Sequence, residues 1–171
     1  MPVLRRAWRT MPLAVAVTFA LPAGLAGQAA ASDSAAVHAA VTGFLRAFED
    51  LDWPRFHAAF SDDVTAFFPM PEPPRRFVGR AAVEAQFQRV FAAIRAAAPA
   101  GPPYQRLPPV DLVIEMLGDG TALVSFELRN AERIGRRTLV MRREAGAWRI
   151  VHLHASNVPV PAAPTGASPG A

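Results

Sequence analysis

The sequence predicts an α+β fold in which a cone-shaped, curved antiparallel sheet wraps around three helices on its N-terminal side. Two helical hydrophobic patterns precede the first strand, and a third follows the first short hairpin. The last third of the chain alternates apolar and polar residues, as antiparallel strands do. A chain of 171 residues is long enough for one domain with a substantial core.

Residues 1–31 have the composition of a cleaved export signal. A basic start precedes an apolar run from Met11 to Gly27, and Ala29-x-Ala31 supplies a cleavage site. The alternative is a retained membrane anchor, but the run is broken by prolines and is short for a span of about 20 residues. We therefore expect an exported protein, periplasmic or secreted, whose route (general or twin-arginine) stays open.

The charge of the remaining chain is nearly balanced. The 18 basic residues are all arginines, three of them in the predicted signal, and they face 14 acidic residues. This balance predicts no nucleic-acid partner, because such binding needs clustered positive charge. The absence of cysteine excludes disulfides, thiol nucleophiles and cysteine zinc sites.

The first two helices are predicted from periodicity and capping. Over Ser34–Asp50, apolar residues recur at three- and four-residue spacing, which is typical of an amphipathic helix. Asp52 then caps a short second helix, with Pro54 in its first turn, where a missing N–H costs nothing.

A short hairpin and a third helix follow. Val64–Phe68 and Arg76–Val78 are predicted as its strands, joined by a proline-rich loop. Gly79 precedes a helix from Arg80 to about Ala97. Its apolar stripe consists of Val83, Phe87, Val90, Phe91 and Ile94.

Three longer strands follow the third helix. Leu107–Met116 and Thr121–Asn130 are joined by the turn signal Gly118-Asp119-Gly120. Ile134–Glu144 then turns at Ala145-Gly146 into the final strand. From residue 159 onward, proline, alanine, glycine and serine predict a disordered tail.

The final strand carries the chemistry that we consider a candidate site. Strict alternation places five residues on one face: Trp148, Ile150, His152, His154 and Ser156. A two-residue turn would put Leu139 opposite His152. It would also put Arg137 opposite His154. This face changes from apolar to polar along its length, as expected of a strand that ends in a pocket.

The ending W-R-I-V-H-L-H-A-S, residues 148–156, resembles a W-x-x-V-H-x-H-x-S ending. That ending belongs to the SnoaL-like branch that includes the calcium/calmodulin-dependent kinase association domain, within the nuclear transport factor 2-like superfamily. Weaker matches are Phe44-x-x-Ala47-x-x-x-Leu51-Asp52, Asp62-Asp63-Val64, Val78-Gly79, Gly120-Thr121-Ala122 and Arg137-Thr138. The resemblance covers about residues 34–160.

This resemblance implies a cystatin-like roll with a deep pocket between the sheet and the helices, and frequent pairing into dimers. It implies no single activity, because the superfamily contains isomerases, dehydratases, cyclases, ligand binders and assembly domains. The kinase association domain has an arginine where this chain has Leu139. The same small carboxylates are therefore not implied here.

The predicted ligand-binding residues are one polar group and one aromatic group. His152, His154, Ser156 and Arg137 would form the polar floor of the pocket. Phe68, Phe87 and Phe91 would form its apolar wall. The alternatives are imidazoles satisfied by hydrogen bonds within the fold and phenylalanines that belong to the ordinary core.

Metal, cofactor and catalytic interpretations are weaker. His-x-His is a metal-ligand spacing, but no motif supplies a third ligand, so we predict neither metal nor cofactor. An isomerase or dehydratase needs a base and an oxyanion donor. Tyr104 lies in a proline-rich connection, and Asp52, Asp62 and Asp63 fit caps and turns. No catalytic residue is assigned.

The outer face of the final strand would carry Val151, Leu153 and Ala155. A second apolar surface predicts a homodimer that covers it. The sequence thus predicts an exported domain, residues 32–158, that binds a small, partly apolar ligand without assigned catalysis. A cofactor-independent isomerase, dehydratase or cyclase and an oligomerisation domain are the alternatives.

Overall fold

The structure is a computed structural model that describes residues 23–70, 73, 76–118 and 120–161. Most of the predicted export signal and of the proline-rich loop lies outside the described residues, as does the tail beyond Pro161. Among the described residues, no helix has the length and apolar character needed to cross a membrane.

Three helices lie within the described residues: α1 (Ala23–Glu49), α2 (Trp53–His57) and α3 (Arg80–Ala97). Helix α1 begins earlier than the predicted Ser34 and turns its apolar stripe to the core, where Val37 and Val41 are fully buried. Asp52 caps α2 as predicted, because its side chain accepts a hydrogen bond from the Arg55 N–H at 3.2 Å.

Six described strands form one sheet. They are β1 (Phe60–Phe67), β2 (Arg76–Val78), β3 (Pro109–Gly118), β4 (Thr121–Arg129), β5 (Arg133–Glu144) and β6 (Ala147–Pro159). Their order is β2-β1-β6-β5-β4-β3. Neighbouring strands are antiparallel, except that β1 and β6 are parallel. The predicted α+β fold with a curved sheet and N-terminal-side helices is confirmed.

The core lies between the inner face of this sheet and the helices, and phenylalanine rings fill much of it. Phe56 is fully buried and contacts Phe44, Phe60 and Phe87, at centroid distances of 5.0, 5.3 and 4.7 Å. Phe91 packs on Phe56 at 4.9 Å. Aromatic pairs at such distances stabilise beyond the area that they bury.

A β-bulge at Val151 decides which residues of β6 face the helices. The predicted two-residue turn is correct, because Glu144 pairs with Ala147. Met141 then pairs with Ile150, but Val140 pairs with His152, so Val151 is an extra residue without a partner. An extra residue reverses the alternation of every side chain that follows it.

Candidate ligand-binding cavity

A cavity of about 140 Å³ lies between the inner face of the sheet and helices α1 and α3. We call it the inner cavity. Helices α1 and α3 contribute Phe44, Leu45, Phe48, Phe87 and Val90. The sheet and the end of β1 contribute Phe68, Pro69, Phe126, Leu128, Arg137, Leu139, Leu153 and Ala155. Among the described lining residues, Arg137 alone is polar.

Two of the three predicted phenylalanines, Phe68 and Phe87, line the inner cavity. The third, Phe91, does not line it and packs instead among Phe48, Trp53 and Phe56. For Phe91, the structure therefore supports the alternative that we kept open, an ordinary core residue.

The predicted polar floor is wrong in its orientation. Leu153 and Ala155 line the inner cavity, whereas His152, His154 and Ser156 do not. The physical reason is the bulge at Val151: beyond it, the residues that strict alternation placed inside lie on the outer face. The same reversal removes Leu153 and Ala155 from the outer face, where we expected them.

The outward imidazoles have contacts within the sheet. His152 Nδ1 lies 2.7 Å from Thr65 Oγ1, and the two share a hydrogen bond. Burial lowers the pKa of His152, and the neighbouring His154 and Arg76 lower it further. The exposed His154 ring contacts the Phe67 ring at a centroid distance of 5.7 Å. His154 and Ser156 also border an open recess near Phe67, which adjoins the inner cavity because Phe68, Pro69 and Ala155 line both.

Of the four predicted polar residues, Arg137 does line the inner cavity, where it is the charged residue among the described lining residues. It shares the inward face of β5 with the buried residues Gly135 and Leu139. Its Nη1 donates hydrogen bonds to the backbone oxygens of Arg136 and Ser156, at 2.8 and 3.0 Å. Burial lowers the pKa of its guanidinium, which nevertheless stays protonated.

Gly135 and Asn157 position this guanidinium. Nη1 and Nη2 of Arg137 donate to Asn157 Oδ1 at 3.3 and 3.4 Å. A β-carbon at Gly135 would lie 3.0 Å from both nitrogens and 3.1 Å from Asn157 Oδ1. A glycine therefore leaves the space that the guanidinium occupies. Sequence analysis missed both residues; the shared parity of Gly135 and Arg137 on β5 is the signal that could have found Gly135.

The inner cavity adjoins a wider recess of about 520 Å³, which we call the outer recess. Both cavities are lined by Phe48, Val90, Leu128 and Arg137, so Arg137 lies where they meet. The outer recess has a mixed lining, in which polar side chains such as Gln105, Asn130 and Asn157 lie beside apolar ones. An apolar cavity that opens beside such polar groups can hold a molecule with one apolar and one polar end.

The carboxylates considered in the sequence do not line the inner cavity. Asp63 pairs with Arg142 at 3.0 Å, and hydrogen bonds from Ser61 and Arg142 lower its pKa. Asp62 pairs with Arg80 at 2.8 Å. Within the part of the chain that the structure describes, no group of three or more histidine, aspartate or glutamate side chains is placed to hold a metal ion.

The fold and this cavity define a class of α+β proteins in which a curved sheet and helices enclose a pocket. The family model of the SnoaL-like domain matches residues 37–161, and the chain belongs to that family. The resemblance expected from the sequence is thereby confirmed. No significant match was found among curated proteins.

Solved structures with this fold come from several bacteria. A dehydratase-like protein of the nuclear transport factor 2-like family from Streptomyces avermitilis has a TM-score of 0.60 and 24% identity, covering 78% of this chain and 99% of its own. A cystatin-like fold protein from Burkholderia xenovorans has a TM-score of 0.59 and 23% identity, with coverages of 75% and 93%. These likenesses support the fold alone.

A calcium/calmodulin-dependent protein kinase type II association-domain-like protein from Thiobacillus denitrificans is similar to this chain at 29% identity. Its TM-score is 0.54, and the match covers 71% of this chain and 94% of that one. The neighbours thus include the branch that the final strand of this sequence resembles.

Proposed function

We propose that this protein is an exported small-molecule-binding domain that holds a small, partly apolar ligand in the inner cavity. The observation that carries the proposal is the inner cavity itself, an apolar space of about 140 Å³ with one cationic side chain at its junction with the outer recess. Protein interiors are close-packed, so side chains that leave an apolar pocket of this size unfilled leave room for a ligand. An apolar cavity of about 150 Å³ is large enough to bind benzene.

The lining favours binding over catalysis. Proton transfer at carbon needs a base within hydrogen-bond reach of the substrate and a donor for the developing oxyanion. The described lining residues of the inner cavity include no carboxylate, imidazole or hydroxyl group. The alternative of an isomerase, dehydratase or cyclase therefore has no supporting residue in the described cavity, although a dehydratase-like protein shares the fold.

Benzene is a suitable neutral probe, with binding followed by chemical-shift changes of the protein. We expect the native protein to bind benzene and Ala155→Phe to lose that binding, because the new ring would occupy the inner cavity. Ala155 is buried and lines this cavity, whereas its neighbour His154 lies on the outer face. His154→Ala is therefore the matched control and should bind normally.

Circular dichroism melting would show that the Ala155→Phe variant remains folded. The proposal fails if the native protein binds no apolar probe of this size. It also fails if folded Ala155→Phe binds benzene as the native protein does, because the ligand would then lie elsewhere.

Export is the second part of the proposal, and residues 1–31 support it by their basic start, apolar run and Ala29-x-Ala31 site. Cleavage after Ala31 would shorten α1 but keep Asp33, which pairs with Arg143 at 2.8 Å. Intact-mass spectrometry of the protein recovered from the periplasm or medium should give a chain that begins at Ser32. A full-length chain in the cytoplasm would refute export.

The third part of the proposal is a homodimer that forms through the outer face of the sheet. Because Leu153 and Ala155 face the inner cavity, other apolar residues support this interface. Phe67, Val78 and Val113 are 37%, 64% and 58% exposed. Val140 and Leu123 lie side by side in the centre of the same face. Burial of these side chains against a second copy would remove apolar surface from water.

A further inference from the structure

Arg137 points to the chemical class of the ligand. We propose that the ligand is a monocarboxylate whose carboxylate binds the Arg137 guanidinium and whose apolar tail occupies the inner cavity. This inference rests on the proposed binding function and adds the charge, the orientation and the size of the ligand. Its evidence lies in the hydrogen bonds, the surrounding charges and the two adjoining cavities.

The first argument is that one edge of the guanidinium is available. Its Nη1 group already donates to two backbone oxygens and to Asn157, and Nη2 makes one contact with Asn157. Among the described residues, Nε and the second Nη2 hydrogen have no acceptor. Nε–H and this Nη2–H point in parallel from one edge of the planar group, which matches the two oxygens of a carboxylate.

The second argument concerns the charge of Arg137. Its present acceptors are neutral, and no carboxylate of the described residues forms an ion pair with it. A partly buried charge without an ionic partner carries a desolvation cost, and burial accordingly lowers its pKa. A bound anion would offset that cost, and a bound cation would increase it.

The third argument is the electrostatic field in the outer recess. Arg106, Arg129, Arg133 and Arg137 line it, and no acidic residue does so within the described ranges. Two of these arginines are ion-paired, Arg129 with Glu127 at 2.7 Å and Arg133 with Glu132 at 3.8 Å. Among the described residues, Arg106 and Arg137 have no ion pair and supply the excess positive charge. Glu49 accepts a hydrogen bond from the Leu107 N–H. A recess lined by cationic groups favours the entry of an anion.

The size of the inner cavity limits the tail. Its 140 Å³ is close to the volume of about 150 Å³ that suffices for benzene, so the tail has about six carbon atoms. Because Arg137 lies where the two cavities meet, a carboxylate there leaves the tail inside and directs the head toward the outer recess. Hexanoate and phenylacetate have the required size and charge.

The test compares three probes that each have six carbon atoms: hexanoate, 1-hexanol and hexylamine. Calorimetry at neutral pH should show hexanoate binding about tenfold more tightly than hexanol, since a hydrogen bond to a charged group contributes more than a neutral one. Hexylamine should bind most weakly. Added salt should weaken the binding of hexanoate and leave the binding of hexanol almost unchanged.

Two variants locate the effect. Arg137→Gln should remove the preference for hexanoate over hexanol, and Gly135→Ala should reduce it, because the added β-carbon displaces the guanidinium without removing its charge. Arg136→Gln is the matched control, since Arg136 lies on the outer face beside Glu127 and should keep the preference.

The outcomes separate this inference from the proposed function. Equal affinities for hexanoate and hexanol would overturn the inference and leave the binding domain standing. Binding of none of the three probes would overturn both. A preference for hexanoate that persists in Arg137→Gln would also overturn the inference, because another group would hold the carboxylate.

Discussion

Truncation of Leu139 to alanine tests the packing of the inner cavity in both stability and binding. Leu139 is fully buried on β5, where it pairs with Leu153 of β6 and Val124 of β4. The substitution removes about three methylene equivalents at ~0.8 kcal/mol each. The enlarged cavity adds ~24 cal/mol for each Å³ that does not collapse. We expect a loss of about 3 kcal/mol in the free energy of unfolding.

Thermal unfolding followed by circular dichroism measures this loss. A change of about 3 kcal/mol should lower the Tm by roughly 10 °C in a domain of this size. Leu117→Ala is the matched control, because Leu117 is 54% exposed and its truncation should cost under ~1 kcal/mol.

The same variant should also bind larger probes. Because Leu139 lines the inner cavity, its truncation should shift the size preference from benzene toward naphthalene. A Tm within about 2 °C of the native value would refute the burial of Leu139. An unchanged size preference in a destabilised variant would refute its position beside the ligand.

Three other predictions test features around the site. Arg80→Met should cost about 1–3 kcal/mol in urea unfolding, because Arg80 donates to the backbone oxygens of His57 and Phe60 and these would lose their partner; an unchanged midpoint would contradict this. The lowered pKa of His152 means that the unfolded state binds more protons, so stability should fall as the pH drops from about 6.5 toward the folded-state pKa. His152→Asn should flatten that part of the pH profile, and a profile as steep as the native one would refute the assignment. Val140→Asp, at the centre of the outer face, should give a monomer by light scattering, whereas an unchanged dimer, or a native protein that is already a monomer, would refute the proposed interface.

The helices and the hairpin turns could be predicted because their signals are local. The stripe that includes Val37 and Val41 identifies the buried side of α1, and Asp52 with Pro54 identifies the start of α2. The turn at Ala145-Gly146 is equally local, and it fixed the first pairs of β5 with β6 correctly. Such features depend on a few adjacent residues.

The orientation of the histidines could not be predicted in the same way. In the sequence, the alternation of side chains between the two faces can be continued through Ile150, Val151 and His152 without interruption. A β-bulge adds a residue to one strand of a pair and leaves no mark in the sequence that would reveal it. Whether a bulge forms at Val151 depends on the packing of the whole sheet, which buries Leu153 and Ala155 and leaves the two imidazoles on the outer face. Hydrophobic burial thus prevailed over strict alternation.

Arg137 was predicted to line the pocket and does so, but the neighbours that place it there differ from those predicted. It was expected beside His154, but it pairs with Ala155 and shares the inward face of β5 with Leu139. Its neutral partners, the Ser156 carbonyl and the Asn157 side chain, come from β6 beyond the bulge. Those contacts depend on the tertiary register, which the sequence pattern does not specify.

The most direct test of the binding site is the set of nuclear Overhauser effects between bound hexanoate and the protein. We predict contacts from the terminal methyl protons of hexanoate to the Ala155 methyl group and to the rings of Phe87 and Phe126, which line the inner cavity. Contacts to the rings of His152 and His154 instead would place the ligand on the outer face and contradict the site described above.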